Sequence, residues 1–176
     1  MPIRDARPAD APAVAAIYAH HVLHGTGTFE EHPPAAEEIA ARMAKVAAAG
    51  NAFLVAEEPR ENGPEVVGYG YFAPFRDRSA YRFTAEDSVY VRNDVRGQGV
   101  GKALVAELLL RAERAGYRQM LAVIGDSENV GSIGLHLSLG FRQAGVLRAA
   151  GLKFGRWVDV VTMQKAIGEG DRTLPG

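Results

Sequence analysis

Apolar positions along this chain switch between a period near two and a period near three and a half, and each switch marks an element. Residues 3–7 (IRDAR) read as a short first strand, ended by Pro8. The period then lengthens. Val14, Ile17, Tyr18 and Val22 share one face of a helix for which Asp10 is a natural N-cap. A Gly- and Thr-rich loop follows, with Phe29 standing exposed in it. Pro33 and Pro34 open a second helix, with Ile39, Met43 and Val46 in register and Gly50 as its stop. Two extended runs, 52–57 and 66–72, are joined by the turn-rich PRENGPE. A further strand holds Val89 and Val91. Past a glycine-studded turn, Val100, Leu104, Val105, Leu108 and Leu109 form a helical stripe that ends near Gly116. Residues 120–124 read as a strand, 129–139 as a helix broken at Gly140, and 143–148 and 157–164 as two last strands. The tail 168–176 has little to bury and is expected to be flexible. Strands and helices alternate without an internal repeat, which predicts an α/β (α+β) domain over 1–167 built on a mixed sheet.

Composition narrows the class. A chain of 176 residues that is 47% hydrophobic buries a sizeable core without metals or disulfides. It has no cysteine, so there is no disulfide framework, no thiol nucleophile and no Cys-ligated metal. That suits a reducing cytoplasmic setting. The N-terminus MPIRDARPAD lacks the apolar core of a signal peptide, and no run approaches a membrane span. A net charge of −1 lacks the basic surplus expected of a nucleic-acid binder.

The stretch SVYVRNDVRGQGVGKALVAELL carries the first chemistry. Strand, glycine loop and helix together turn unpaired backbone N–H groups toward an anion, and the helix dipole adds positive potential there. Gly97, Gly99 and Gly101 permit close approach, Gln98 and Val100 stand between them, and Arg96 and Lys102 add charge. A nucleotide P-loop is excluded twice: its first glycine would fall on Arg96, and Ala103 stands where a metal-binding hydroxyl is required. A dinucleotide fingerprint would need glycine in place of Lys102. The remaining pattern, R-G-x-G-x-G, resembles the pyrophosphate loop of the GNAT superfamily of N-acetyltransferases.

The resemblance covers nearly the whole chain, from Ile3 to about Lys165. It implies a GNAT fold, with a mostly antiparallel sheet of about seven strands flanked by about four helices. The segment N-V-G-S-I-G-L-H-L-S-L-G-F from Asn129 is similar to the superfamily's helix after the fifth strand. By that likeness Asn129 and Ser132 hold the pantetheine arm of coenzyme A, and Val89, Tyr90 and Val91 dock it through their strand. Two longer blocks, PFRDRSAYRFTAEDSVYV and VLRAAGLKFGRWVDVVTMQ, are similar to the group of phosphinothricin, methionine sulfoximine and methionine sulfone acetyltransferases. The likeness implies acetyl-CoA as cosubstrate, no metal, a small amino-acid-like amine as substrate, herbicide resistance by acetylation, and a homodimer.

Each candidate residue also has a plainer reading. Amide formation needs a neutral amine, and α-amines near neutral pH are largely protonated. Glu86 stands at the group's catalytic glutamate and is the candidate base; the plainer reading is a solvated strand carboxylate. His136 occupies the position of the tyrosine that protonates the departing thiolate in many superfamily members; it also suits a packing role. Asn129 serves equally as a helix N-cap. Arg76, Arg78 and Arg82, with Tyr81 among them, form an anion clamp for carboxylate, phosphinate or sulfone oxygens, or else a solvated loop. Phe29 closes the same pocket. His20, His21, His24 and His32 lack any metal-ligand spacing. Two other functions stay open: acetylation of another amine such as a peptide N-terminus, and a non-catalytic acyl-CoA sensor.

Overall fold

The computed structural model describes residues 1–61 and 63–175. Asn62, in the turn predicted between the second and third strands, and Gly176, the last residue of the tail, lie outside the described residues. The elements run β1 Ile3–Asp5, α1 Ala11–His24, α2 Ala36–Ala48, β2 Phe53–Glu58, β3 Glu65–Pro74, β4 Thr84–Val91, α3 Val100–Arg114, β5 Gln119–Gly125, α4 Val130–Ser138, β6 Arg142–Lys153 and β7 Arg156–Ala166. One seven-stranded sheet has the order β1-β2-β3-β4-β5-β7-β6. Only β4 and β5 pair in parallel; the other neighbours are antiparallel.

The alternation of β2 shows how the core divides. Leu54 and Ala56 face α3, packing with Val67, Phe72, Leu104, Leu108 and Met120. Phe53 and Val55 face α1 and α2, packing with Val14, Ile17, Val22, Ile39 and Met43. The sheet is thus covered on both faces over β2 and β3. Over the β6–β7 hairpin it is not, and Leu147, Leu152, Phe154 and Trp157 are all more than half exposed.

Two expectations are corrected. Asp10 precedes α1, yet its side chain makes no cap bond to that helix. Pro12 follows and has no N–H to offer, so the carboxylate turns back instead. Its Oδ2 accepts the Arg7 N–H at 2.6 Å, and it takes the Arg4 guanidinium at 2.7 and 2.8 Å. Arg4 Nε also donates to Glu57 at 2.9 Å, so three segments are tied at one edge of the sheet. The second correction is that β6 and β7 run past their predicted ends to a tight turn, where Phe154 has φ 52° and Gly155 φ 71°. Residues 149–153 are mostly exposed and carry no clear alternation, which hides the strand from a hydropathy reading. In the tail, Arg118 Nη1 donates to Thr173 Oγ1 at 3.1 Å, and residues 168–171 form turns.

Asp10 provides a stability prediction. The Arg4 hydrogen bond holds its carboxyl below the ordinary value of 3.8, against the opposing effect of burial, with the Arg7 N–H assisting. The stabilisation is therefore fully present above that value and is lost as pH falls through the lower folded value. Asp10→Asn should lower stability by about 2 kcal/mol at neutral pH, with the gap to wild type closing in acid. Urea unfolding at several pH values measures this, and a pH-independent gap would contradict it.

The sheet is split at its parallel pair. Register pairs join Thr84 through Asp87 to Gln119 through Ala122 and stop there. Beyond this point β5 pairs with β7 alone, from Val123↔Thr162 to Gly125↔Val160. The Arg92 N–H bonds the Val67 carbonyl at 2.8 Å, so by antiparallel alternation the backbone groups of Tyr90 and Ser88 also face β3. Those of Val89 and Val91 face the opening.

Candidate active site

A cleft of about 710 Å³ occupies the split. Its mouth is the glycine loop, its walls are β4 and the start of α4, and its deep end lies at the fork, where Asp87, Ser88, Ala122 and Val123 border it. Gly97 and Gly99 have φ 78° and 83°, a conformation that other residues rarely adopt, and this swings the chain into α3. The first amide of that helix to find a backbone partner is Ala103, bonded to Gly99 O at 3.0 Å. Gly99 has no capping side chain, so the amides of Val100, Gly101 and Lys102 are left as donors at the mouth. Arg96 and Lys102 flank them, and neither forms a salt bridge among the described residues. Gln98 is exposed and does not border the cleft. The donor set and the added charge fit a diphosphate.

The walls bring the predicted α4 residues together. Asn129 caps α4, accepting the Ser132 N–H at 3.2 Å, while its Nδ2 donates to Gly125 O at 3.4 Å. Ser132 passes its carbonyl to His136 Nδ1, 2.8 Å away. His136 Nε2 lies 3.1 Å from Asp87 Oδ2, so a buried pair bridges α4 and β4. Burial alone would lower the imidazole pKa; the hydrogen bond and charge of Asp87, aided by the Ser132 carbonyl, raise it on balance. Tyr90 turns its ring away, into an aromatic cluster with Tyr18 and Tyr69.

Glu86 stands at the fork but on the opposite face of β4 from Asp87. Its register neighbours are Ala73 on β3 and Leu121 on β5. It is half-buried, and burial raises its pKa above 4.5; Arg76 opposes that shift and Asp87 reinforces it. Arg76, Arg78, Tyr81 and Arg82 lie between β3 and β4, around a short turn at Ser79–Tyr81, and all are exposed. The Arg76 guanidinium sits 4.5 Å over the Phe75 ring, and that of Arg82 4.5 Å over Phe83. None of the three arginines forms a salt bridge among the described residues. The structure does not bring this loop into the cleft; it places it beside Glu86. Phe29, 40% exposed, lies over Gly151, where an added Cβ would come within 2.3 Å of its ring.

Several contributors have no motif. His21 Nε2 lies 2.9 Å from Val91 O. A carbonyl only accepts, so that nitrogen carries the hydrogen. Burial lowers the His21 pKa on balance; the Val91 hydrogen bond opposes that shift and the charge of Arg96 reinforces it. Thr26 donates to Asp126 Oδ2 at 2.9 Å, and buried Lys153 donates to Gly25 O and Thr28 O at 2.8 and 2.7 Å. These opposite charges clamp the α1–α2 loop at the cleft. Among the described residues no three His, Asp or Glu side chains are placed to hold a metal.

A mixed sheet split at one parallel pair, with a diphosphate-type loop at the mouth and a carboxylate at the fork, defines the class as a coenzyme-using acyltransferase domain. Comparison with known proteins makes it specific. The profile of the acetyltransferase (GNAT) domain matches residues 3–162. Phosphinothricin N-acetyltransferase of Alcaligenes faecalis is 52% identical over 173 residues, 98% of this chain and 86% of that protein. L-methionine sulfoximine/L-methionine sulfone acetyltransferase of Pseudomonas aeruginosa is 41% identical over 162 residues, 92% of each. The crystal structure of a GNAT superfamily phosphinothricin acetyltransferase from Sinorhizobium meliloti, in complex with AcCoA, superposes with a TM-score of 0.94 at 44% identity, covering 99% of this chain and 92% of that one. The chain belongs to the GNAT acetyltransferase family.

Proposed function

We propose that the protein transfers the acetyl group of acetyl-CoA directly to the α-amine of a small amino-acid analogue of the phosphinothricin, methionine sulfoximine or methionine sulfone type, with Glu86 as general base. The observation that carries this reading is the position of Glu86 at the fork of β4 and β5, one residue from the Asp87 that borders the closed end of the cleft and on the opposite face of the strand. A donor entering through the mouth and an amine arriving from the other face would meet at the fork. The names of the relatives support the substrate class.

The geometry supports the following roles. The backbone of Gly97 and of Gly99 to Lys102, with Arg96, receives the diphosphate. The inward-facing backbone of Val89 and Val91 pairs with the pantetheine arm, and its free N–H groups stabilise charge developing on the acetyl oxygen. Asn129 and Ser132 border the arm. Glu86 removes the proton that keeps the amine from attacking. Arg76, Arg78, Arg82 and Tyr81 receive the anionic or strongly polar end of the substrate, and Phe29 covers it. A polyamine would be repelled by the same guanidinium groups.

A thiol-release assay over phosphinothricin, methionine sulfoximine, methionine sulfone, glutamate, methionine, an alanine-starting peptide and spermidine tests the proposal. Turnover on the first three is expected. Turnover on the peptide alone would move the function to N-terminal acetylation, and acetyl-CoA binding without any turnover would leave a sensor. Arg76→Ala should raise the KM for phosphinothricin about tenfold, from loss of a charge-assisted contact, with the KM for acetyl-CoA unchanged. An unaffected amine KM would make the arginine loop an ordinary surface.

The same reading extends to organisation. The exposed hairpin residues Leu147, Leu152 and Trp157 support a homodimer, which sedimentation would test. The absence of cysteine supports a cytoplasmic enzyme, and no helix among the described residues is long and apolar enough to cross a membrane. Residues 1–167 would form the one domain, and acetylation of phosphinothricin in the cell would give herbicide resistance.

A further inference from the structure

β5 lies between β4 and β7 in the middle of the sheet, and all of its residues but one are buried or half-buried. The exception is apolar: Val123 is 40% exposed, while Ala122 and Ile124 on either side of it are buried. The split in the sheet accounts for this. Register pairs between β4 and β5 end at Asp87↔Ala122, so Val123 is the first β5 residue without a β4 neighbour. Continued register would set it opposite Ser88, and both residues border the cleft. Side chains alternate along a strand, so Ser88 and Val123 project to the same face as Glu86, and Asp87 and Ala122 to the other. The split is therefore a portal through the sheet, with Ser88 and Val123 at its edges on the Glu86 face.

Trigonal geometry orients an acyl group in this portal. An amine attacks a thioester perpendicular to its plane, and an amine arriving from the Glu86 face requires that plane to lie along the sheet. The oxygen then turns toward β4, where the Val89 backbone faces the opening, and the sulfur toward the glycine loop. The third substituent, the acyl chain, points at the fork and β5. A carbon beyond the acetyl methyl meets a wall in each direction. Ahead, the fork is closed by the pair Asp87↔Ala122. On the α4 face stand Asp87 and His136, both buried and bonded to each other at 3.1 Å. On the Glu86 face stands Val123. Its branched Cβ holds one rotamer strongly, so its methyl groups do not swing aside.

We propose that Val123 sets the length of the acyl chain this enzyme transfers, admitting acetyl and rejecting longer acyl groups at the portal. This rests on the acetyl-CoA reading of the cleft. The reaction is the same for any acyl donor. Glu86 takes one proton of the ammonium, the nitrogen bonds to the acyl carbon, and the carbon–sulfur bond breaks with its electron pair on sulfur. The second nitrogen proton passes to solvent. Donors differ only in how the chain fits against Val123, so this side chain is a specificity residue.

The test is the ratio of kcat/KM for propionyl-CoA to that for acetyl-CoA, with the amine of the panel above that is turned over fastest. Wild type should use propionyl-CoA about ten to a hundred times less well, the usual discrimination for one methylene. Val123→Ala should raise the ratio about tenfold, and Val123→Ile should lower it. Both donors meet the same preparation, so an unfolded fraction cancels, and a merely structural role for Val123 leaves the ratio unchanged. A wild-type ratio near one, or the wild-type ratio in Val123→Ala, overturns the proposal. If Val123→Ala does not fold, Val123→Ile decides, and an unchanged ratio overturns the proposal. Calorimetric binding of the two thioesters without amine is the second readout. Wild type should bind propionyl-CoA more weakly than acetyl-CoA, and Val123→Ala should narrow that gap. A wild type that binds acetyl-CoA but acetylates no amine removes the functional reading, and the binding gap then decides alone: narrowed in Val123→Ala it supports the portal, unchanged it overturns it.

Discussion

Glu86→Gln is expected to lower kcat by about 10²–10⁴-fold, the usual contribution of a positioned general base. Glutamine keeps the size of the side chain and one acceptor oxygen but cannot take a proton from an ammonium. Glu86 does not border the cleft proposed for the donor, so the KM for acetyl-CoA should not follow kcat down. Burial lifts the carboxyl above its ordinary 4.5, which makes it a stronger base. The acid limb of wild-type kcat/KM should therefore lie above 4.5 and be missing from the variant.

The same residue predicts an opposite effect on stability. A carboxyl with a raised folded pKa imposes no penalty below its unfolded value and a full penalty above its folded one. Glu86→Gln should therefore melt at or above the wild-type temperature at neutral pH, and show no such gain in acid. Lost turnover with retained or improved stability is the mark of a group held in an unfavourable state for chemistry. Wild-type turnover across the pH range would eliminate Glu86 as the base.

Much of this site was legible along the chain because its parts are local. The glycine loop is contiguous, and once the nucleotide motifs fail its R-G-x-G-x-G pattern resembles the GNAT pyrophosphate loop, which implies coenzyme A. The α3 stripe and the order of strands and helices are periodic signals that survive without tertiary context. What stayed hidden depends on distant contacts. Asp87 reads as one more strand carboxylate until α4 brings His136 beneath it, 49 residues later in sequence. His21 sits in a histidine run without metal-ligand spacing and with no motif of its own, yet its ring bonds Val91 O, 70 residues away. Asp10 looks like a helix cap until Arg4 claims its carboxylate. Hydropathy ends the late strands β6 and β7 too early, because one face of the hairpin is uncovered and the alternation is lost there.

Gly125→Ala is the second change expected to have a large effect, and no motif points to it. A Cβ at this position would lie 2.0 Å from Thr26 O and 3.1 Å from Thr26 C, both backbone atoms. The loop cannot yield cheaply. Asp126 holds the Thr26 hydroxyl, Lys153 holds the carbonyls on either side, and Tyr18 holds the Thr28 hydroxyl at 2.7 Å. Lys153 forms no salt bridge among the described residues, so displacing the loop strands a buried ammonium. Removing the partners of a buried charge costs about 3–5 kcal/mol, which in a chain of this size lowers Tm by about 10 °C. Gly25, Thr26 and Gly27 border the cleft, so acetyl-CoA affinity should fall with it. Gly27→Ala is the control: its added Cβ would meet nothing nearer than Asn129 Nδ2 at 3.6 Å, an ordinary contact. Calorimetry on the two variants separates a general intolerance of the loop from a specific collision. If Gly125→Ala melts with the wild type, or the two variants lose stability equally, the clamp between β5 and the β6–β7 hairpin does not set the position of this loop.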